Sequence, residues 1–556
     1  MPATERAVSV ADRSFGPARL SRRRNAVLFW GFGASGMAAL IYEVVWQREL
    51  SNTIGGSVYS ISILLAAFMA GLAIGGKSGG RLLAHDRDHV KVFGLIELVL
   101  GVLGLVVFYI INHLQPVYGQ LFYLLRQNLT LFYAAQMVLV FLIFLVPTTF
   151  MGAALPVIVE AWSLRVKEVG KNSGNVYSVN TWGAMAGSLL AGFVLVPLLG
   201  LRMTNLSAAL INFAIAIVAL SVSRSRQWLA PAALLIIGVV WLAFLHGPEG
   251  VRFNFGLADH YRSWEEFQTR TSGFVRLFDR EAPHGRVQVF QAPSSPAGPG
   301  EIGLVSGGRF EGSNGRDAMT MKMLAYLPLA VKPDSRSWLN VGLGTGRTVA
   351  TAASSRRLEN IDNVEINPVI YEAVDKFFYP GLFDDRRLRR ITDDARHYIS
   401  YTDRRYDVIT SQPSYPTRKS VAHLFTKEYY AIAAGKLNAG GVFIQWLPKY
   451  LLDDRQLKIA MKTVVMVFPE TYAWQLGSDD IYLVAMKSGR PIRVDDIETR
   501  LAALDPEVRA VFLGGPSELA TLVRDSAVAV NTDDLPHIEF SAARNKVTGI
   551  KQPAKK

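Results

Sequence analysis

Cysteine is absent from this 556-residue chain, and charge is scarce: Asp, Glu, Lys and Arg together make up 19% of it. The first absence excludes a disulfide scaffold, a thiolate zinc site and a cysteine nucleophile. Histidines are few, and His260, His284, His397 and His423 show no metal-ligand spacing, so no metal is expected. What abounds is apolar. Half of the residues are hydrophobic and the mean hydropathy is +0.21, which excludes a disordered chain. The length allows three or so domains. The net charge of +13 comes without any aromatic-plus-basic surface module, so nucleic acid is not an expected partner.

Between a basic N-terminal tail (1–24) and residue 246, long apolar runs alternate with short charged hinges. Asn25–Trp46, Ser57–Gly76, Val92–Ile111, Leu131–Val159, Asn172–Leu201, Met203–Ser223 and Gln227–Leu245 each approach or exceed the ~20 residues needed to cross hydrocarbon. The reading is a transmembrane domain of about seven helices embedded in a lipid bilayer, with no cleaved signal peptide ahead of it. Lys and Arg cluster in the tail and in alternate hinges (Lys77–Lys91, Arg165–Lys171, Arg224–Arg226), which puts the N-terminus in the cytoplasm. Seven crossings would place the rest of the chain outside; a re-entrant Asn172–Leu201 would return it to the inside. Glu97 and Glu43 are ionisable groups in apolar helices, hence functional candidates, although Glu43 lies close to Arg48 and could serve an interfacial ion pair. The glycines at 71, 75, 79, 183 and 187 suit close helix packing.

After residue 246 the composition is that of an ordinary globular protein. Residues 247–336 read as a small β-hairpin domain, with strands at Gly285–Ala292 and Ile302–Ser306. Residues 337–545 alternate strand and helix, which implies a mostly parallel, Rossmann-like sheet covered on both faces; 546–556 form a basic tail. At the end of the first of these strands stands Gly342-Leu343-Gly344-Thr345-Gly346, where glycines allow a ligand to approach the backbone. Glu365 ends the next strand, placed to accept both ribose hydroxyls of a nucleoside. Asp394, before a helix, is placed to meet an adenine amine. Together the three point to an adenosine-bearing ligand, the alternative being a tight turn with two surface acids. The loop lacks the lysine of an ATP-binding loop, and G-x-G-x-G suits an S-adenosyl ligand better than a dinucleotide.

These stretches resemble the spermidine synthase family, and the whole chain resembles its membrane-fused bacterial branch. The resemblance rests on Ser35–Trp46, Ala66–Gly75, Asn180–Ala184, the Val341–Gly346 loop, Leu424–Tyr430, Gln445–Pro448 and Asn531–Pro536. It implies a methyltransferase-like α/β domain, a bacterial inner-membrane location, homo-oligomers and a small amine acceptor. It further implies decarboxylated S-adenosylmethionine as substrate, or S-adenosylmethionine in the wider methyltransferase class, with no metal. Gly342, Gly344 and Gly346 would face the nucleoside, with Glu365 on its ribose and Asp394 on its adenine. The catalytic half departs from the family pattern. Gln412 and Tyr415 stand at the family's two acid positions, Thr345 replaces the loop aspartate, and Glu311 and Thr320 stand where a glutamine and a tyrosine contact the polyamine. An amine acceptor is almost wholly protonated in water, with a pKa of ~10, and glutamine cannot take its proton. Glu311 and Asp317 could lend charge from the β-domain side. Three readings follow: an aminopropyltransferase, a methyltransferase, or a binding or assembly protein that retains the fold without the chemistry.

Overall fold

The computed structural model describes residues 22–539, apart from 55–57, 86–87, 126–127, 163–165, 225, 246–262, 283, 295–298, 316, 414–415, 417–418, 450 and 489–490. Among the described residues the N-terminal half is a bundle of eight helices: α1 (Arg22–Ile54), α2 (Val58–His85), α3 (His89–Asn112), α4 (Gln115–Leu125), α5 (Leu129–Trp162), α6 (Val166–Leu190), α7 (Val196–Val222) and α8 (Leu229–Leu245). The short α4 had no counterpart in the apolar pattern. Among the described residues five helical segments are long and apolar enough to cross a membrane by length and composition, and Leu229–Trp241 is a shorter apolar one. The last of the five, Ser173–Val222, contains two of the expected runs. A π-helical turn (Ala191–Leu195) follows α6, and Gly200, with φ 74° and ψ 172°, breaks the helix.

Helix directions follow from side-by-side residues. Gly33 stands against Val179, Gly36 against Asn180 and Gly187 against Met37, so α1 and α6 run parallel. Arg24 Nε donates to Val222 O, and Trp46 Nε1 donates to Asn205 Oδ1 at the other end, so α1 and α7 run antiparallel. The chain therefore reverses between α6 and α7, near Gly200. The glycine repeats set the spacing between helices: a Cβ at Gly183 would lie 1.8 Å from Gly33 O, and one at Gly71 1.7 Å from Thr148 Oγ1.

Beyond the bundle come α9 (Trp264–Thr271) and a four-stranded antiparallel sheet, β1 (Val275–Arg280), β2 (Val287–Gln291), β3 (Ile302–Ser306) and β4 (Arg309–Ser313). This unit rests on the bundle end that holds the C-terminus of α1. Phe267, Phe290 and Val305 share one buried cluster with Trp46, Tyr118 and Phe122, and Arg48 donates to Ala282 O at 2.5 Å. The opposite end of the bundle holds Arg24, Asp88 and Arg224, whose backbone N–H donates to Asp88 at 2.7 Å.

The second sheet is larger. Its elements are α10 (Ala318–Val331), β5 (Ser337–Val341), α11 (Arg347–Ala353), β6 (Asn360–Glu365), α12 (Pro368–Phe377), β7 (Leu388–Thr392), α13 (Ala395–Tyr401), β8 (Tyr406–Ser411), α14 (Lys419–Ala422), α15 (Lys427–Lys436), β9 (Leu437–Pro448), α16 (Asp454–Val467), β10 (Glu470–Leu476), β11 (Asp480–Met486), α17 (Val494–Leu504), β12 (Ala510–Gly514) and α18 (Pro516–Arg524). The strand order is β12-β10-β11-β9-β8-β5-β6-β7. The five strands from β9 to β7 are parallel, while β11, β10 and β12 extend the β9 edge antiparallel. Apolar clusters cover both faces of this sheet. The domain is thus a Rossmann-like α/β fold of the methyltransferase type. Its order reverses between β5 and β8, where such sheets open a crevice for ligands.

Candidate functional site

The loop from Gly342 to Gly346 leaves β5 at this reversal. Gly342, Gly344 and Gly346 all take positive φ (81°, 54° and 82°), a region closed to most side chains. The space above them differs. A Cβ at Gly346 would meet Val374 Cγ1 at 2.6 Å, whereas one at Gly344 would meet nothing within 4 Å. Gly346 is thus required by packing beneath the loop, and Gly344 borders open space.

Glu365, at the tip of β6, closes the loop. Its Oε2 accepts from Leu343 N and its Oε1 from Asn367 N, both at 2.9 Å. The side chain is buried, and burial pushes its pKa up to about 7 against the pull of those two N–H donors, with the charge of Glu311 adding to the rise. Glu311 on β4 therefore stands within electrostatic reach of Glu365, and Gly312 beside it packs on Met321 and Thr345.

Asp394 lies between β7 and α13. It caps α13 by accepting from His397 N at 3.0 Å, and His423 Nε2 lies 3.2 Å from its Oδ2. Burial opposes its charge, but these two partners outweigh it and hold the carboxyl below the ordinary range. Gln412 follows β8, with Oε1 accepting from Thr348 Oγ1 at 3.3 Å, and Thr348 Oγ1 also lies 3.0 Å from Met321 O as a donor. Tyr415 lies outside the described residues.

A further acid stands on the β9 side. Asp480, at the start of β11, accepts from Thr320 Oγ1 at 2.7 Å and from Trp446 Nε1 at 2.8 Å. Burial raises its pKa against these two donors, with the charges of Asp479 and Asp317 adding. Asp317 accepts from Ser313 Oγ at 3.0 Å. Thr320 and Met321, neighbours on the first turn of α10, thus bring the Asp480 group and the Thr348–Gln412 group together. Sequence reasoning did not single out Asp480; its signal was the acid pair Asp479-Asp480 in a hairpin turn at the ligand end of the sheet.

One loop joins the site to the helix bundle. Asn367 Nδ2 donates to Gly285 O at 3.1 Å, while Ala282, three residues earlier, is held by Arg48 of α1. Glu281 lies 3.5 Å from Arg48, and burial pushes its pKa up to about 7 in spite of that cation. Burial and then Arg48 lower the pKa of His284, which is also near enough to Asp394 to feel its charge. Among the described residues no group of three or more His, Asp or Glu could hold a metal ion.

The arrangement places one buried acid beneath a glycine loop where the strand order reverses, and a second acidic group on β11 at the same end of the sheet. Residues 318–476 match the family model described as the spermine/spermidine synthase domain. The polyamine aminopropyltransferase of Methanocaldococcus jannaschii is 28% identical over 223 residues, covering 36% of this chain and 75% of that protein. The polyamine aminopropyltransferase of Oceanobacillus iheyensis is 21% identical over 437 residues, 76% of this chain and 77% of that protein. A crystal structure of spermidine synthase from Thermotoga maritima aligns with a TM-score of 0.35 and 22% identity, covering 49% of this chain and 87% of the other.

Proposed function

The C-terminal half carries a spermidine synthase-like domain, and from that premise we propose the activity of the whole chain. It is a multi-pass protein of the bacterial inner membrane that binds decarboxylated S-adenosylmethionine and passes its aminopropyl group to a small amine. The observation that carries this reading is Glu365, buried beneath the glycine loop with its carboxylate held by Leu343 N and Asn367 N. A carboxylate so fixed accepts the two ribose hydroxyls. Gly344 leaves the sulfonium end free to extend toward Gln412 and Asp480.

The transfer forms a bond between the acceptor nitrogen and the methylene carbon attached to sulfur. The carbon–sulfur bond breaks, its electron pair stays on sulfur as a neutral thioether, and the nitrogen loses a proton. Gln412 can hydrogen-bond the acceptor but cannot remove that proton. Asp480, with Asp317 and Glu311 nearby, supplies carboxylate charge to hold the cationic acceptor and receive the proton. Incubating the full chain in lipid nanodiscs with decarboxylated S-adenosylmethionine and a diamine tests this directly. Methylthioadenosine should form, and Asp480→Asn should abolish turnover while nucleoside binding persists.

A second reading has its own support. The arginine-rich start of α1 and the β-sheet unit that precedes the α/β domain lie at opposite ends of the bundle. With the N-terminus cytoplasmic, this arrangement favours an extracytoplasmic domain, away from the cytosolic supply of adenosyl sulfonium compounds. Together with Gln412 at an acid position, it favours a protein that binds a nucleoside without turning it over. Binding without methylthioadenosine release, for any amine offered, selects this reading. Preference for S-adenosylmethionine over its decarboxylated form, with methyl transfer, would select a methyltransferase.

A further inference from the structure

The helix bundle contains a polar group that the nucleoside chemistry leaves unused. Glu97 of α3 is 0% exposed, and Asn212 of α7 and Tyr42 of α1 are 1% exposed. Asn212 Nδ2 donates to Glu97 Oε2 at 2.6 Å, and the Ser35 side chain is a second hydrogen-bonding neighbour of the carboxyl. Three buried oxygens in this cluster have no hydrogen-bond partner among the described residues: Glu97 Oε1, Asn212 Oδ1 and Tyr42 OH. Helices α1, α2, α5, α7 and α8 all pack on α3. Among the described residues, none of them brings a Lys, Arg or His to bear on Glu97, and Tyr42 lies near enough to feel its charge.

An ionised carboxylate in that setting costs several kcal/mol, with no cation to offset it. The unpaired atoms suggest how the cost is avoided. Glu97 and Asn212 already share one hydrogen bond, and each has one oxygen left over; both oxygens are acceptors, so they cannot pair as they stand. A single proton on Glu97 Oε1 turns one of them into a donor.

We propose that Glu97 is a proton-binding site inside the helix bundle, a neutral carboxylic acid whose Oε1 proton is donated to Asn212 Oδ1, closing a two-bond acid–amide pair. A glutamine would make the same pair permanently, so the acid adds only the ability to release and rebind the proton. The site continues along a polar line on α7. Asn205, two turns before Asn212 on the same face, accepts from Trp46 Nε1 at 3.0 Å and donates to Gly104 O at 3.1 Å. Trp46 stacks on Tyr42 with centroids 4.9 Å apart. That line leads toward the bundle end occupied by Arg48 and the β-domain.

Infrared difference spectroscopy on the full chain in lipid nanodiscs at neutral pH tests the proposal. The spectrum of wild type minus Glu97→Gln should show the carbonyl stretch of a protonated carboxylic acid, shifting in heavy water. In Asn212→Leu, which retains Glu97, the same band should move to the position of a less strongly hydrogen-bonded acid. Carboxylate bands in place of the acid band would overturn the proposal. So would an acid band unaffected by Asn212→Leu. Carboxylate bands that require added sodium would assign the site to a metal cation instead of a proton.

Discussion

If Glu365 grips a ribose as a carboxylate, nucleoside affinity must depend on pH in a direction that its surroundings dictate. Burial holds the acid at a pKa of about 7 in the free protein, although two backbone N–H groups favour its charged form. Two ribose hydroxyls that donate to it would favour the charge further, so binding selects the ionised acid. With a pKa of about 7, roughly one molecule in ten is ionised at pH 6 and nine in ten at pH 8. Affinity for methylthioadenosine should therefore rise about tenfold across that interval, about 1.4 kcal/mol. Isothermal titration calorimetry on the full chain at both pH values, in buffers of different ionisation enthalpy, reads both the affinity and the release of close to one proton at pH 6. Glu365→Gln should bind weakly and without pH dependence. Equal affinity at pH 6 and 8 in the wild type, with no proton released, would refute the assignment. The same acid contributes to folding with a definite sign. The stability gained by keeping it neutral is fully present below pH ~4.5 and is lost as the pH rises through about 7. The whole span is on the order of 3 kcal/mol, and Glu365→Gln should remove that part of the pH dependence of thermal unfolding.

Gly346→Ala should lower stability by roughly 2–3 kcal/mol, since it combines a left-handed backbone with a 2.6 Å clash against Val374; Gly344→Ala, with open space around it, should cost only about 1 kcal/mol yet block nucleoside binding, as melting and calorimetry would report. Asp394→Asn retains an oxygen for the α13 cap but loses the charge that His423 favours, so it should melt between wild type and Asp394→Ala, which should lose about 1 kcal/mol or more; equal melting of the two variants would mean that the cap contributes nothing. Arg48→Ala strands the Ala282 carbonyl and the buried Glu281, so the full chain should lose about 1–3 kcal/mol and bind nucleoside more weakly, with partial recovery on adding Glu281→Gln.

The positions of the glycine loop and of Glu365 were legible because their signals are local. A strand-ending glycine loop and an acid at the next strand end depend only on the order of elements along the chain, and Glu365 lies where that order puts it. Asp394 was legible as a position, but its cap and its His423 partner appear only when α13 and the segment before α15 come together. Asp480 was not legible. Its partner Thr320 is 160 residues away and Trp446 is 34 residues away, and β11 reaches the crevice only through the antiparallel extension of the sheet past β9. Helix α10 escaped notice for a related reason: Ala318–Val331 is apolar nearly all round and contains Pro328, so it shows no amphipathic stripe. In the bundle the apolar runs were plain, while the Glu97–Asn212 pair joins residues 115 positions apart.

The seam between the bundle and the β-sheet unit determines how this protein can be handled at the bench. Phe267, Phe290 and Val305 are sealed by aromatic residues of the helices, and each such side chain is worth about 1.5–3 kcal/mol when removed from water. A truncated chain beginning after the last helix would bare that surface in a domain whose entire margin is ~5–15 kcal/mol. It would also free Glu281 and Ala282 from their arginine clasp. Failure of such a fragment to bind or react would then report the amputation, and only the intact chain can speak for the site.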